Sequence, residues 1–310
     1  MKWLTDEMLP VSDGHRLCVR STGNPDGIPA VFLHGGPGSG VQESQLGVFD
    51  LDRFHVIAFD QRGAGLSTPK GGRDGNTTAH LVSDVEAIRD RFGIDRWLVV
   101  GGSWGATLAL AYATAHPERV RGLVLRAVFL GTRAELERAF LVHLPTFYPA
   151  LHADWLSMLP KTERARPLDA YWARILDPDP AVHLPAARAW HDTERALSSL
   201  VPSATRLDMR AVQATTGPVP SSPYMEAHYF SNDCFLDGDL RDRARALGDI
   251  PGLVVQGRFD LLCPPETSHA LADAWPGAVV REVEGAGHSM GDKSVFAAVR
   301  DALSEIADRL

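Results

Sequence analysis

The run Gly101-Gly102-Ser103-Trp104-Gly105 follows a short apolar stretch, Trp97 to Val100, and opens onto a helix-like stretch, Ala106 to Ala115. In that context the serine is a nucleophile on a tight strand-to-helix turn. The flanking glycines remove Cβ atoms that would clash in a strained turn. The helix N-terminus favours developing negative charge. A serine hydroxyl needs a base, and in this arrangement the acid and the histidine come later in the chain, each just after a strand. Val254-Val255-Gln256-Gly257-Arg258-Phe259-Asp260 supplies an Asp in that position, and Val283-Glu284-Gly285-Ala286-Gly287-His288-Ser289 supplies a His in a loop of small residues. His288 then takes the Ser103 proton while Asp260 orients and stabilises the imidazolium; Asp84 and Asp237 are weaker rivals for the acid. A tetrahedral intermediate needs two donors aimed at its oxyanion. The backbone N–H of Trp104 is one. The N–H of Gly36, in the loop His34-Gly35-Gly36-Pro37-Gly38, is the other, with Pro37 stiffening the loop. The chemistry is acyl transfer through a serine ester.

These groups need a scaffold of alternating elements. Val31 to Leu33 and Val56 to Phe59 read as short buried strands. Leu81, Val85, Ile88 and Phe92 recur at helical spacing until Gly93. Trp97 to Val100 and Val120 to Leu125 continue the strand series, with the helix from Ala106 between them. Short buried strands alternating with helices predict an α/β fold with a mostly parallel sheet covered on both faces. The segment Asp60-Gln61-Arg62-Gly63-Ala64-Gly65-Leu66-Ser67 leaves the second of these strands, and its Asp and Arg are expected to tie the top loops together. From about Gly131 the alternation stops. Residues 132–245 are rich in helix formers, aromatics and prolines and read as a mainly helical insertion. Sheet texture returns at Leu253 to Gly257 and Ala278 to Val280, and an amphipathic helix, roughly Val295 to Leu310, follows. The expected division is therefore a core of 1–131 and 246–310 with a cap domain of 132–245.

The 310 residues carry 31 Lys and Arg against 39 Asp and Glu, a net charge of −8, so a nucleic-acid partner, which needs a basic face, is not expected. No run of 18 apolar residues occurs, so no membrane span is expected. The first residues lack the apolar core of a secretion signal. The three cysteines, Cys18, Cys234 and Cys263, are far apart and odd in number, which fits reduced thiols in a cytoplasmic protein. No CxxC or HExxH suggests a metal, and no GxxxxGK[ST] makes the Gly-rich loop a phosphate cradle.

The motifs HGGPG at 34–38, FDQRGAGLS at 59–67, GGSWGATLALAY at 101–112, GRFDLLCP at 257–264 and GAGHS at 285–289 together resemble the proline iminopeptidase family of α/β-hydrolases. The resemblance implies the α/β-hydrolase fold with a helical cap, no cofactor, and release of an N-terminal residue, proline first, from peptides. An esterase, lactonase or amidase acting on a small molecule is the alternative. The resemblance also implies that cap glutamates hold the substrate's amino group. Trp190-His191-Asp192-Thr193-Glu194 is similar to the family's W-x-x-W-E segment, making Glu194 one anchor. Glu226-Ala227-His228-Tyr229-Phe230 is similar to E-N-H-Y-F, making Glu226 the other, with Tyr229 and Phe230 beside the substrate. A buried carboxylate recognising an ammonium makes a free N-terminus a requirement. Thr193 stands where the family pattern has Trp and Ala227 where it has Asn, which predicts a reshaped amine pocket. Cys263 reads as a small packing residue near the site.

Overall fold

Apolar runs of five or six residues form the middle of an eight-stranded sheet with strands at Thr5–Pro10 (β1), Arg16–Gly23 (β2), Ile28–Leu33 (β3), Phe54–Phe59 (β4), Trp97–Ser103 (β5), Val120–Val128 (β6), Gly252–Gly257 (β7) and Ala278–Val283 (β8). The computed structural model describes all 310 residues. The strand order is β1-β2-β4-β3-β5-β6-β7-β8. β1 pairs antiparallel with β2, and β2 antiparallel with β4; every other pairing is parallel. The inner parallel strands, β3 to β7, are buried on both faces over most of their length, as their Val, Leu and Ile runs require, while β8 at the far edge is half-buried or exposed. β1 and β2 were not evident in the sequence. Thr-Asp-Glu-Met-Leu-Pro and Arg-Leu-Cys-Val-Arg-Ser-Thr-Gly mix charge with apolar residues, because β1 is the sheet's outer edge and largely exposed or half-buried.

Helices cover both faces. Thr78–Arg91 is the helix carrying Leu81, Val85 and Ile88 inward; Thr77 caps its start and Gly93, at φ +61°, follows its end. On the other face Val295, Val299, Leu303 and Ile306 of the Lys293–Ala307 helix recur every three or four residues and pack with Phe32, Val56, Leu98 and Val100.

Between β6 and β7 the chain forms no strand. Its main helices there are Pro149–Ser157, Pro167–Ile175, Pro180–Ser198 and Ser222–Phe230. They join through stacked aromatic rings: Trp155 lies 4.5 Å from Tyr171 at an interplanar angle of 5°, and Phe140 lies 4.4 Å from Trp190. This aromatic set has no core of its own. It is continuous with the buried residues beneath the sheet, including Val31, Val99, Trp104 and Leu125, in one cluster. The last turns of the insertion, around Leu240 to Leu247, pack back on the Trp104–Ala115 helix.

All five loops that carry the sequence motifs leave the C-terminal ends of parallel strands, the edge where open α/β sheets bind ligands.

Candidate active site

Ser103 is the last residue of β5 and precedes the Trp104–Ala115 helix; its backbone sits at φ 57°, ψ −126°, a region that costs energy for a non-glycine residue. The neighbouring glycines make the turn sterically possible. A Cβ on Gly101 would lie 2.3 Å from the Gly105 carbonyl oxygen, and one on Gly105 would lie 2.1 Å from the Leu33 carbonyl oxygen. The parallel register of β5 and β6 slips between Gly102 and Ser103, opposite Ala127 at φ 48°, so both strands bend where the serine leaves the sheet.

His288 Nδ1 lies 2.8 Å from Asp260 Oδ2. The other carboxylate oxygen of Asp260 accepts the backbone N–H groups of Leu262 at 2.9 Å and Cys263 at 2.8 Å. With both oxygens engaged, Asp260 holds the imidazole by Nδ1 and leaves Nε2 to the cavity that Ser103 also lines. The rival acids are placed elsewhere. Asp84 is buried in a two-bond pair with Arg62, at 2.7 Å through Nε and 2.7 Å through Nη2, and Asp237 is exposed.

The His34–Gly38 loop passes beside the serine: a Cβ on Gly35 would lie 3.7 Å from Ser103 Cβ. Gly36 has φ +110°, and a Cβ there would meet the Gly38 nitrogen at 2.7 Å. Gly36 lines the same cavity as Ser103, and the N–H of Trp104, the first residue of its helix, has no intrahelical acceptor. The loop is fixed from behind. His34 Nε2 accepts the Gln61 N–H at 3.0 Å, so its Nδ1 carries the proton and donates to the Gly35 carbonyl at 2.9 Å. Burial pushes the His34 pKa down and keeps the ring neutral. The Gln61 side chain donates to the His34 carbonyl at 2.8 Å and accepts the Trp104 indole N–H at 2.8 Å. One glutamine thus joins the loops after β3, β4 and β5.

The cavity above Ser103 has a volume of about 630 Å³. Glu194 and Glu226 lie on its wall with Gly36, Arg126 and His288. Glu226 is buried; its Oε2 accepts the Trp190 indole N–H at 2.6 Å, and Oε1 is buried with no hydrogen-bond partner. Burial, and then the Glu194 charge, push the Glu226 carboxyl well above the ordinary range. Burial pushes Glu194 up to about 7. Two neighbouring carboxyls, one buried and one half-buried, cannot both ionise cheaply. Beside Ser103 and Glu194 the floor deepens into an apolar pocket walled by Phe129, Leu136, Phe140, Phe230, Leu262 and Cys263. Burial pushes the Cys263 thiol well up, so it is a neutral wall group.

The family described as alpha/beta hydrolase fold matches residues 29–293. The chain is 40% identical to the proline iminopeptidase of Xylella fastidiosa strain 9a5c over 91% of its own length and 90% of that protein. It is 39% identical to that of Neisseria meningitidis serogroup B over 97% and 96%. The chain belongs to the proline iminopeptidase family of α/β hydrolases. In Arabidopsis thaliana a protein of that name is 40% identical over 93% of this chain and 76% of its own length. Among solved structures, a proline iminopeptidase from Mycobacterium smegmatis aligns with a TM-score of 0.62 at 23% identity, covering 98% of this chain and 99% of that one. An esterase from Thermogutta terrifontis aligns with a TM-score of 0.67 at 20% identity over 99% and 100%. At those identities the two share the fold.

Two placements differ from the expectations drawn from this family's motifs. Tyr229 is not on the cavity wall. It lies behind Trp104, with ring centroids 4.6 Å apart, and donates its hydroxyl to Asn76 Oδ1 at 2.6 Å. Phe230, the next residue and so turned about 100° around the helix, is the one that reaches the apolar pocket. Thr193 and Ala227 do not reshape the amine pocket from its wall: both are fully buried inside the helical insertion, turned away from the cavity by the same one-residue rotation beside Glu194 and Glu226. Asp60 and Arg62 tie loops together as expected: Asp60 accepts the N–H groups of Val41 at 2.7 Å and Leu66 at 2.9 Å, while Arg62 holds Asp84.

Five contributors were not read from the sequence. Trp190 precedes Glu194 by one helical turn, and that i, i+4 spacing was a usable signal for a shared face. Gln61 sits at a strand exit among glycines. Phe129 and Phe140 gave no signal, because their pocket is closed by residues from segments far apart in the chain. Arg126 gave none either; it is buried near the end of β6, donates through Nη1 to the His288 carbonyl, and leaves Nε without a partner.

Proposed function

We propose that the protein is a serine exopeptidase that releases an N-terminal residue, proline first, from peptides. The observation that carries the reading is the pair of a half-buried Glu194 and a buried Glu226 on the same cavity wall as Ser103 and His288. A substrate ammonium placed there compensates a carboxylate that burial otherwise disfavours. It also sets the distance from the free N-terminus to the attacked carbonyl, so only the first peptide bond is cut. The apolar pocket beside Ser103 suits a small ring such as that of proline.

In this reading Ser103 Oγ attacks the carbonyl of the N-terminal residue as His288 Nε2 takes its proton. The Gly36 and Trp104 N–H groups stabilise the oxyanion. His288 gives the proton to the leaving amine, and the shortened peptide departs. Water, deprotonated by His288, then hydrolyses the acyl-enzyme, with Asp260 holding the imidazole throughout. Ser103 Oγ and His288 Nε2 form no hydrogen bond here; such contacts tighten when substrate binds. We assign residues 132–245 the part of a cap, because the apolar pocket and both glutamates depend on it. A cavity of this size suits a peptide or other small-molecule substrate. No helix is long and apolar enough to cross a membrane.

The test compares proline p-nitroanilide, alanine p-nitroanilide and p-nitrophenyl butyrate on the wild type and on Glu194→Gln and Glu226→Gln. Turnover of the proline anilide that collapses in both variants, with the ester still cleaved, is expected. Ester turnover with no aminoacyl-anilide turnover in the wild type would refute the peptidase reading and leave an esterase.

A further inference from the structure

The charges around the Ser103 cavity are sorted by position. Its two acids, Glu194 and Glu226, sit together on the cap. Arg126 is engaged with the His288 backbone. The two remaining cations, Arg195 and Lys293, stand on the outer part of the lining, exposed, and neither is in an ion pair or donates a side-chain hydrogen bond to the protein. The acids near them in the chain are already engaged: Asp192 pairs with Arg188 at 2.7 Å, and Asp292 accepts the Gly287 N–H at 3.1 Å. Between Arg195 and Glu194, His191 also lines the cavity, with Nδ1 buried and unpartnered. Burial pushes its pKa down, so it adds a polar neutral group and no charge of its own.

The direction of the reaction says what should lie there. The leaving amine departs toward the histidine that protonates it. Ser289, Met290, Gly291 and Lys293 follow His288 directly and line that side of the cavity. Arg195 faces it from the cap helix Pro180–Ser198. Resting on the exopeptidase reading above, the geometry points to a second recognition site for the same substrate. Arg195 and Lys293 bind the terminal carboxylate of a short peptide whose ammonium is held by Glu194 and Glu226. The substrate class is then a peptide of a few residues with both ends free, bound as a zwitterion across an open cavity of a size usual for small ligands. Arg195 and His191 also border a neighbouring cavity of about 460 Å³ lined by Thr215, Pro218 and Pro220. A longer peptide would run past Arg195 into it and forgo the pairing.

The experiment measures kcat/KM for prolyl-alanine, its C-terminal amide and proline p-nitroanilide, on the wild type and on the Arg195→Gln, Lys293→Gln double variant. The readout is the acid-to-amide ratio within each protein, so any general loss of folding or turnover cancels, and the anilide reports that turnover directly. Two exposed ion pairs are worth a ratio of about three- to tenfold in favour of the acid, carried by KM, and the double variant brings it to about one. High salt lowers the wild-type ratio as well. A wild-type ratio near one, or a ratio that survives in the double variant, overturns the carboxylate site and leaves the exopeptidase reading standing. A wild type that cleaves none of the three prolyl compounds overturns both.

Discussion

Replacing Glu194 by Gln should make the protein more stable while removing its aminopeptidase activity, and the gain should depend on pH in a way that can be worked out. Burial raises the Glu194 carboxyl from 4.5 to about 7. Its folded-state pKa is therefore above its unfolded value, and the folded protein binds the proton more tightly. Ionising Glu194 costs stability, and that cost grows as pH rises from about 4.5 and is complete above about 7. The shift of about 2.5 units, at about 1.4 kcal/mol each, gives roughly 3 kcal/mol. The carboxyl borders a cavity that admits water, which reduces the figure to about 2 kcal/mol. Glutamine keeps the volume and an oxygen that can accept from protonated Glu226, but it does not titrate. Urea unfolding of wild type and Glu194→Gln at pH 4.5, 6 and 8 should give a difference near zero at the lowest pH, rising to about 2 kcal/mol in favour of the variant at pH 8. Glu226 is the exception, because without the Glu194 charge its carboxyl is less raised, which adds to the variant's gain at high pH; the groups away from the pair titrate alike in both proteins and cancel. Substrate binding supplies the second half of the test. An ammonium beside the pair favours the carboxylate, so wild-type KM for proline p-nitroanilide should fall as pH rises toward 7 and level off above it, and p-nitrophenyl butyrate should show no such trend in KM. A stability difference that is the same at all three pH values would refute the argument that burial of this charge is what the folded protein tolerates for the sake of the substrate.

Two further outcomes follow from the site's supports. Asp260→Asn keeps the shape of the acid but gives His288 Nδ1 no carboxylate, so the imidazole loses its orientation and its compensating charge; kcat for p-nitrophenyl butyrate and proline p-nitroanilide should both fall by about 10³ to 10⁴, with the unfolding midpoint changed little. Gln61→Ala removes the three hydrogen bonds that join the His34 loop, the Gln61 loop and Trp104 only in part, since the backbone N–H remains. It should lower kcat by roughly tenfold through a looser oxyanion site with little change in KM, and a change confined to KM would show that the glutamine does not position those N–H groups.

The parts of this protein that were legible in its sequence are those where the backbone itself limits the choice of residue. Gly101 and Gly105 must be glycine because a carbonyl oxygen occupies the space of their Cβ atoms, and that restriction leaves a short, ordered signature around Ser103. The helix at Thr78–Arg91 showed because Leu81, Val85 and Ile88 repeat at its own period. Asp260 and His288 were found because each leaves a strand run into a loop of small or polar residues. The walls of the site are a different matter. Tyr229 and Phe230 are neighbours of similar chemistry on one helix, yet one braces Trp104 and the other bounds the apolar pocket. Only the packing of the Ser222–Phe230 helix against Trp104, Asn76 and the remaining cap decides between them. Thr193 and Ala227 make the same point from the other side: each departs from the family pattern beside an anchor glutamate, and each is turned into the cap interior. Substitution at such positions changes the support of the site and leaves its lining in place. Specificity for the N-terminal residue should accordingly follow Phe129, Phe140 and Phe230, whose pocket is assembled from segments far apart in the chain, more closely than it follows the two positions where the family's motif is broken.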